Sequence, residues 1–277
     1  MAGMSQSLAG RVGRIELLPL SAAELALADR LPRSLEQVLW QGAYPAHYDR
    51  PMQPGDWFAN YVATYVERDV RQLVAVRELG LFQRFVRICA PRSGQLLNLT
   101  ALGADCGISA VTARAWLGVL ETSYLVVRLA PYQRNFGKRL VKTTKLYFLD
   151  TDLAAWLLGM LDAATLQTHE SRGALFKTWV VSELIKRRFN LGEPAELFFW
   201  RDNVGHEVDV VSETAAGLQA IEIKSGTTFA RDGPAAASKW QSFAGREAAQ
   251  PAIMVGGEGR YERQGCRVLG RREPASA

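Results

Sequence analysis

Two adjacent stretches of the sequence carry charged residues whose types and spacing could support metal-dependent chemistry. The stretches are HEVDVV (206–211) and LQAIEIK (218–224). Both are predicted to be strands, in which residues two apart point to the same side. Glu207 and Asp209 therefore share one face of the first strand, and Glu222 and Lys224 share one face of the second.

The short connection SETAAG is turn-like and predicts that the two strands form a hairpin with Asp209 near Glu222. Two such carboxylates could hold Mg²⁺ or Mn²⁺ through their oxygens. Lys224 could orient a water or offset charge on a phosphate, with Glu207 assisting. The alternative is an ordinary half-exposed hairpin, which shows the same alternation. The residues expected on the opposite, core-facing side are Val208, Val210, Ile221 and Ile223.

A second pattern, LTALGADCGISAVTARAWLGVL (99–120), has the cadence of a helix-turn-helix. The β-rich region that follows would then form a wing. The second helix offers Arg114 but little else that could contact base edges, so sequence-specific reading is not expected. The alternative is a winged helix used for packing or for protein contact.

The predicted wing contains a basic loop, QRNFGKRLVKTTK (133–145). Such a loop could hold phosphates without reading sequence. A solvated charged face is the alternative interpretation. The cations of this loop are Arg134, Lys138, Arg139, Lys142 and Lys145.

Length and composition limit the class of protein. The 277 residues predict about two domains, and a net charge of +5 permits contact with nucleic acid without requiring it. Three widely separated cysteines favour a reducing compartment. No stretch approaches the roughly 18 apolar residues of a membrane helix, and the N-terminus is not a secretory signal. These features predict a soluble cytoplasmic protein without membrane contact. The absence of GxxxxGK[ST] predicts no nucleotide site and no intrinsic ATPase activity.

The periodicity of the chain divides it near residue 165. Residues 1–165 are predicted to be helical with a winged helix at about 79–149, and residues 166–277 to be an α/β domain. The predicted helices are a short one around Leu35–Leu39, and others at 56–76, 79–90, 99–106, 109–121, 151–159, 172–190 and 234–245. The predicted strands are at 14–21, 124–132, 145–150, 196–200, 206–211, 218–224 and 251–256, the last of which closes the α/β unit.

Several stretches, taken in order, resemble a known family over roughly residues 5–225. They include SLAGRVGRIELLPLSAAEL, GAYP, YVERDVRQL, TARAWLGVLETSYLV, NFGKRLVKTTKLYFLDTDL, GALFKTWVVSEL, WRDNVGHEVDVV and AIEIKS. The chain is similar to the C-terminal region of a group of bacterial and archaeal AAA-type ATPases. The resemblance implies an α+β fold, with a helical, winged-helix-containing N-terminal part followed by a restriction-endonuclease-like, PD-(D/E)xK α/β domain. It also implies that the family's ATPase domain would precede residue 1, so that this chain is a fragment, a split gene product or a degenerate relative.

The sequence departs from the family within GALFKTWVVSEL. Relatives commonly have Glu where this sequence has Lys177, and PD-(D/E)xK nucleases use such a helix Glu beside the strand carboxylates. Glu183, further along the same helix, is expected to face elsewhere. A lysine near Asp209 and Glu222 would compete with a divalent metal and form a salt bridge that inactivates the site.

Three functions remain open on the sequence alone. The first is a nucleic-acid-associated accessory module of an AAA-type ATPase, with a nuclease-like but inactive site. The second is an active Mg²⁺-dependent DNA nuclease. The third is a protein-interaction module that docks an ATPase partner or another copy of itself.

Overall fold

The computed structural model describes residues 15–50, 54–65, 79–133, 141–229 and 234–273. Its helices are α1 (Ala22–Leu27), α2 (Leu35–Gln41), α3 (Ala46–Asp49), α4 (Pro54–Thr64), α5 (Leu79–Cys89), α6 (Leu99–Cys106), α7 (Ala110–Thr122), α8 (Thr151–Leu157), α9 (Arg172–Asn190) and α10 (Pro234–Ala244). Its strands are β1 (Val126–Pro131), β2 (Lys145–Phe148), β3 (Leu197–Arg201), β4 (Glu207–Thr214), β5 (Gly217–Lys224), β6 (Ala252–Val255), β7 (Arg260–Arg263) and β8 (Cys266–Leu269).

The helix boundaries follow side-chain caps that are visible in the sequence. Ser21 and Glu24 form a capping box at the start of α1. Asn98 caps α6 and Ser109 caps α7, each accepting a hydrogen bond from a backbone N–H three residues on. The predicted helices at 99–106 and 172–190 are confirmed, although α9 has no side-chain cap at its start, and the other predicted helices agree within a few residues where they are described.

The strand prediction is wrong at both ends of the chain. Residues 15–21 of the predicted first strand form no strand, and Leu20 donates a single backbone hydrogen bond, to Ala43. Pro19 has no N–H to give to a ladder. At the other end β7 and β8 were not predicted. Every residue of β7 is exposed, so this strand has no apolar alternation to reveal it.

One mixed sheet runs through the molecule in the order β2-β1-β3-β4-β5-β6-β8-β7. The pairs β3–β4 and β4–β5 are antiparallel, whereas β5–β6 and β6–β8 are parallel. The two strands predicted to form a wing pair with each other and continue into this sheet, because β1 lies parallel to β3 through Ala130 and Phe198. The sheet therefore crosses the predicted division at residue 165.

The main hydrophobic core is also continuous across that division. It joins Phe85 and Leu120 of the helical part to Val180 of α9 and to Val210 and Ile221 of the sheet. A smaller cluster fills the other face of the sheet beneath α10. Its largest members are Trp200 and Trp240, and Val211 and Ala220 belong to it. The sheet thus lies between α9 on one face and α10 on the other.

A buried polar network attaches the N-terminal helices to α9. Glu183 accepts a hydrogen bond from the Ala22 N–H at 2.7 Å, and Asp150 accepts one from the Ala43 N–H at 3.1 Å. Lys186 Nζ lies 3.1 Å from Glu183 Oε1 and 3.9 Å from Asp150 Oδ2. Glu183 therefore faces away from Asp209, as predicted.

Two further observations bear on the predicted class of protein. None of the helices within the described ranges combines the length and the apolar character that crossing a membrane requires. The three cysteines, Cys89, Cys106 and Cys266, are buried and unbridged.

Candidate functional site

The predicted hairpin is present and brings the four charged residues to one cavity. β4 and β5 pair in antiparallel register with Val210 opposite Ile221, and Asp209 and Glu222, the residues next to this pair, both line the cavity. A cavity of about 520 Å³ lies at this end of the strands. The charged side chains that line it are Lys177, Glu207, Asp209, Glu222, Lys224 and Lys239.

A β-bulge lies in β4 at Asp209. The register with β3 passes from Phe198 opposite Val211 to Trp200 opposite Val208, so that one residue of β3 faces two of β4. The bulge interrupts the alternation of side chains. Val208 packs with Trp200 in the cluster beneath α10, whereas Val210 belongs to the core beneath α9. The prediction that Val208 and Val210 share a face is therefore wrong.

Asp209 has both carboxylate oxygens engaged. Its Oδ1 lies 2.5 Å from Lys177 Nζ of α9, and its Oδ2 accepts the Ile223 N–H at 3.0 Å. Burial opposes the charge of Lys177, but the Asp209 carboxylate outweighs it and raises the pKa of Lys177 above its ordinary value. The predicted salt bridge between Lys177 and Asp209 is thus present, with a fully charged lysine.

Glu222 is a buried carboxyl beside that pair. Among the residues that the structure describes, none forms a hydrogen bond with Glu222 Oε1, and Lys224 Nζ is 3.9 Å from Oε2. Burial, followed by the charge of Asp209, raises the pKa of Glu222 to about 8, although Lys224 and Lys177 partly oppose this. The surroundings of Glu222 therefore favour its protonated form.

This arrangement does not fit Mg²⁺ or Mn²⁺. A divalent ion needs free, ionised oxygen ligands, whereas both oxygens of Asp209 are engaged, one by the Lys177 ammonium group and the other by the Ile223 N–H. Within the described ranges, no group of three or more His, Cys, Asp or Glu side chains is placed to hold a metal ion.

Glu207 lies in a separate ion-pair cluster. It contacts Lys145 of β2 and lies 3.1 Å from the Arg201 guanidinium. Lys145 is buried, and its Nζ is 5.0 Å from the centre of the Phe199 ring. The prediction that Lys145 belongs to a solvent-facing phosphate-binding loop is wrong, because Lys145 is buried and forms an ion pair with Glu207.

Two of the other predicted nucleic-acid contacts are described, and neither lies at the cavity. Arg114 is exposed on α7, and Lys142 is exposed in the segment before β2; neither lines the cavity. Arg134, Lys138 and Arg139 lie outside the described residues.

Sequence reasoning missed a histidine at the mouth of the cavity. His206 Nδ1 lies 2.7 Å from Asp202 Oδ2, and its side chain lines the cavity with 40% of its area exposed. Burial opposes the charge of Asp202, but hydrogen bonds from His206 and from the turn that follows hold its pKa below the ordinary value. The signal in the sequence is an Asp four residues before a His, across the turn between two strands.

The pKa of Glu222 predicts an unusual pH dependence of stability. Because the folded protein keeps a proton that the unfolded chain loses, we expect the free energy of unfolding to fall as pH rises from about 5 to about 8. The expected loss is at least about 1.4 kcal/mol, the equivalent of one pKa unit. Urea denaturation at several pH values measures it.

The matched variants for this experiment are Glu222→Gln and Glu196→Gln. Glu222→Gln should flatten the pH dependence, because the amide does not titrate. Glu196 is exposed, so Glu196→Gln should retain it. A Glu222→Gln protein with the same slope as the unmodified protein would contradict the assignment.

The comparisons with known proteins identify two regions of the chain. Residues 32–164 match the domain of unknown function DUF8612, and residues 172–271 match the domain of unknown function DUF4143. Uncharacterised proteins of Mycobacterium bovis and Mycobacterium tuberculosis are each 31% identical to this chain over 227 residues. The alignment covers 81% of this chain and 49% of each relative, so the chain spans about half their length. No solved structure matches it. The chain thus contains regions similar to two domains of unknown function and has distant, uncharacterised mycobacterial homologues.

Proposed function

We propose that this chain is a nucleic-acid-binding module whose nuclease-like site holds phosphates without a metal ion and does not cleave DNA. The observation that carries the proposal is the contact of Lys177 Nζ with Asp209 Oδ1, at 2.5 Å. It puts an ammonium group at the carboxylate that a metal-dependent nuclease would need. The order α9-β3-β4-β5-α10-β6, with an antiparallel meander followed by a parallel strand, supports the PD-(D/E)xK-like assignment.

The charge of the cavity supports an anionic ligand. The charges of Lys177 and Asp209 offset each other and Glu207 is paired with groups outside the cavity, which leaves the ammonium groups of Lys224 and Lys239. Lys224 and Lys239 are exposed and can approach a phosphate oxygen directly. Ammonium groups in a concave site favour phosphodiester oxygens irrespective of base sequence.

The wider role we propose is that of an accessory module of an AAA-type ATPase-like protein in the cytoplasm. The resemblance of the sequence and the greater length of the mycobacterial relatives support this. The predicted winged helix and its basic loop, with Arg114, Arg134, Lys138, Arg139 and Lys142, would add a second contact with DNA.

Fluorescence anisotropy with labelled duplex and single-stranded DNA in EDTA tests the proposal. We expect binding whose log K falls linearly with log salt concentration, and intact DNA after prolonged incubation. Lys239→Ala should weaken binding and reduce the slope by about 0.7–0.9, the value of one phosphate contact. Arg260→Ala is the control, because Arg260 is exposed on β7, three strands from β5.

Two outcomes would contradict the proposal. Mg²⁺-dependent cutting that is lost in Asp209→Ala and Lys224→Ala would establish the second candidate, an active nuclease, which the gathering of Asp209, Glu222 and Lys224 at one cavity favours. No binding at moderate salt, together with self-association or capture of an ATPase, would leave a protein-docking module.

A further inference from the structure

The side chain of His206 is held in one orientation by Asp202. Asp202 Oδ2 forms a hydrogen bond with His206 Nδ1 at 2.7 Å. Its Oδ1 accepts the backbone N–H groups of Val204, Gly205 and His206 at 3.0, 2.8 and 2.9 Å. The Asp202 side chain has no exposed surface, so the carboxylate cannot rotate away to solvent. A histidine whose Nδ1 donates to a buried carboxylate presents Nε2 as a proton acceptor.

The histidine of this pair lies at the cavity that also contains lysine side chains. His206 lines the same cavity as Lys177, Lys224 and Lys239. A base beside ammonium groups is the arrangement that activates a hydroxyl and stabilises charge on a phosphate. The residues of the cavity do not fit a divalent metal, so a bound metal does not supply the nucleophile.

We propose that the cavity takes single-stranded RNA and cleaves it by metal-independent transesterification, with His206 as the general base. The inference rests on the proposed nucleic-acid binding at this cavity. His206 Nε2 takes the proton of a ribose 2′-hydroxyl as its oxygen attacks the adjacent phosphorus. The P–O5′ bond breaks, and the leaving O5′ takes a proton from the Lys224 ammonium group. The products are a 2′,3′-cyclic phosphate and a 5′-hydroxyl, and solvent returns both groups to their starting protonation.

RNA is the substrate class because its nucleophile is built into the strand. Well-oriented intramolecular nucleophiles reach effective concentrations of about 10⁵ M or more, so no metal-bound hydroxide is needed. DNA lacks the 2′-hydroxyl and is bound but left intact. Lys239 holds a non-bridging phosphate oxygen, and Asp202 is a positioning residue that acts through His206.

End-labelled single-stranded RNA incubated with the protein in EDTA tests the inference. We expect fragments ending in 2′,3′-cyclic phosphate, and no cut at a site where a single 2′-deoxynucleotide replaces the ribonucleotide. His206→Ala should lower the cleavage rate about 100-fold without lowering RNA affinity, and added imidazole should restore part of the rate. Asp202→Asn should lower kcat and leave KM unchanged. His169→Ala is the matched control, because His169 lies before α9 and does not line the cavity.

The possible failures are distinguishable. RNA that is bound but stays intact would overturn the cleavage while leaving the proposed binding function standing. The absence of binding to both RNA and DNA would overturn both. Cutting that persists in His206→Ala, or at the 2′-deoxy position, would overturn the assigned base or the assigned nucleophile. The 2′-deoxy substrate is tested with the unmodified protein, so this result does not depend on how well a variant folds.

Discussion

Replacing Lys186 with methionine should lower the free energy of unfolding by about 3–5 kcal/mol, the usual effect of removing one partner from a buried ion pair. Lys186 is buried, and its ammonium lies 3.1 Å from Glu183 Oε1 and 3.0 Å from the Leu20 carbonyl oxygen. Burial opposes its charge, but Glu183 and Asp150 raise its pKa above the ordinary value. The variant would leave these carboxylates without a countercharge in the interior.

The structure offers a control next to Lys186 in the sequence. Arg187 is exposed, so Arg187→Met should change stability by less than about 0.5 kcal/mol. Adding Glu183→Gln to Lys186→Met should recover part of the loss, because it removes one of the stranded charges. Urea denaturation measures all three proteins. A loss in Lys186→Met no larger than that of the control would show that the network is not a source of stability.

The sequence predicted those features of the fold that local periodicity determines. The hairpin, the limits of α9 and the presence of Asp209 and Glu222 at one cavity follow from spacing alone. The bulge at Asp209 could not be predicted in this way. It is a mismatch between β3 and β4, and neither strand by itself carries a sign of it.

Long-range pairing explains the remaining differences. The parallel pairing of β1 with β3 joins segments that α8 and α9 separate in the chain. Local sequence patterns therefore could not predict that the wing strands belong to the main sheet. That pairing also explains Lys145, which lies in a basic loop in sequence but is buried against Glu207 in space. In both cases the result depends on a segment distant in sequence rather than on neighbouring residues.

At the candidate site, the sequence identified the charged residues but not the groups that they contact. The sequence indicated Asp209, Glu222, Lys224 and the opposing Lys177, and the structure brings all four to one cavity. His206 was not among the predicted site residues, and its partner, Asp202, orients the imidazole ring. A search for His beside an Asp across a tight turn would have found the pair.

Lys177→Glu should create divalent-metal binding that the unmodified protein lacks. The change removes the ammonium group from Asp209 Oδ1 and places a third carboxylate beside Asp209 and Glu222, which gives the oxygen ligands that Mn²⁺ prefers. Mutual repulsion of these carboxylates should destabilise the variant without metal. At about 100 times the Kd, Mn²⁺ should then stabilise it by about 2.7 kcal/mol.

Calorimetric titration and thermal unfolding with and without Mn²⁺ measure both parts of this expectation. Lys142→Glu makes the same charge change at an exposed site that does not line the cavity, so its response to Mn²⁺ should equal that of the unmodified protein. Metal binding by Lys177→Glu should strengthen as pH rises, because Glu222, whose pKa is raised by burial and by Asp209, must lose its proton before it can coordinate. If Lys177→Glu gains no affinity over Lys142→Glu, then Lys177 is not what keeps a metal out, and the site was never arranged around one.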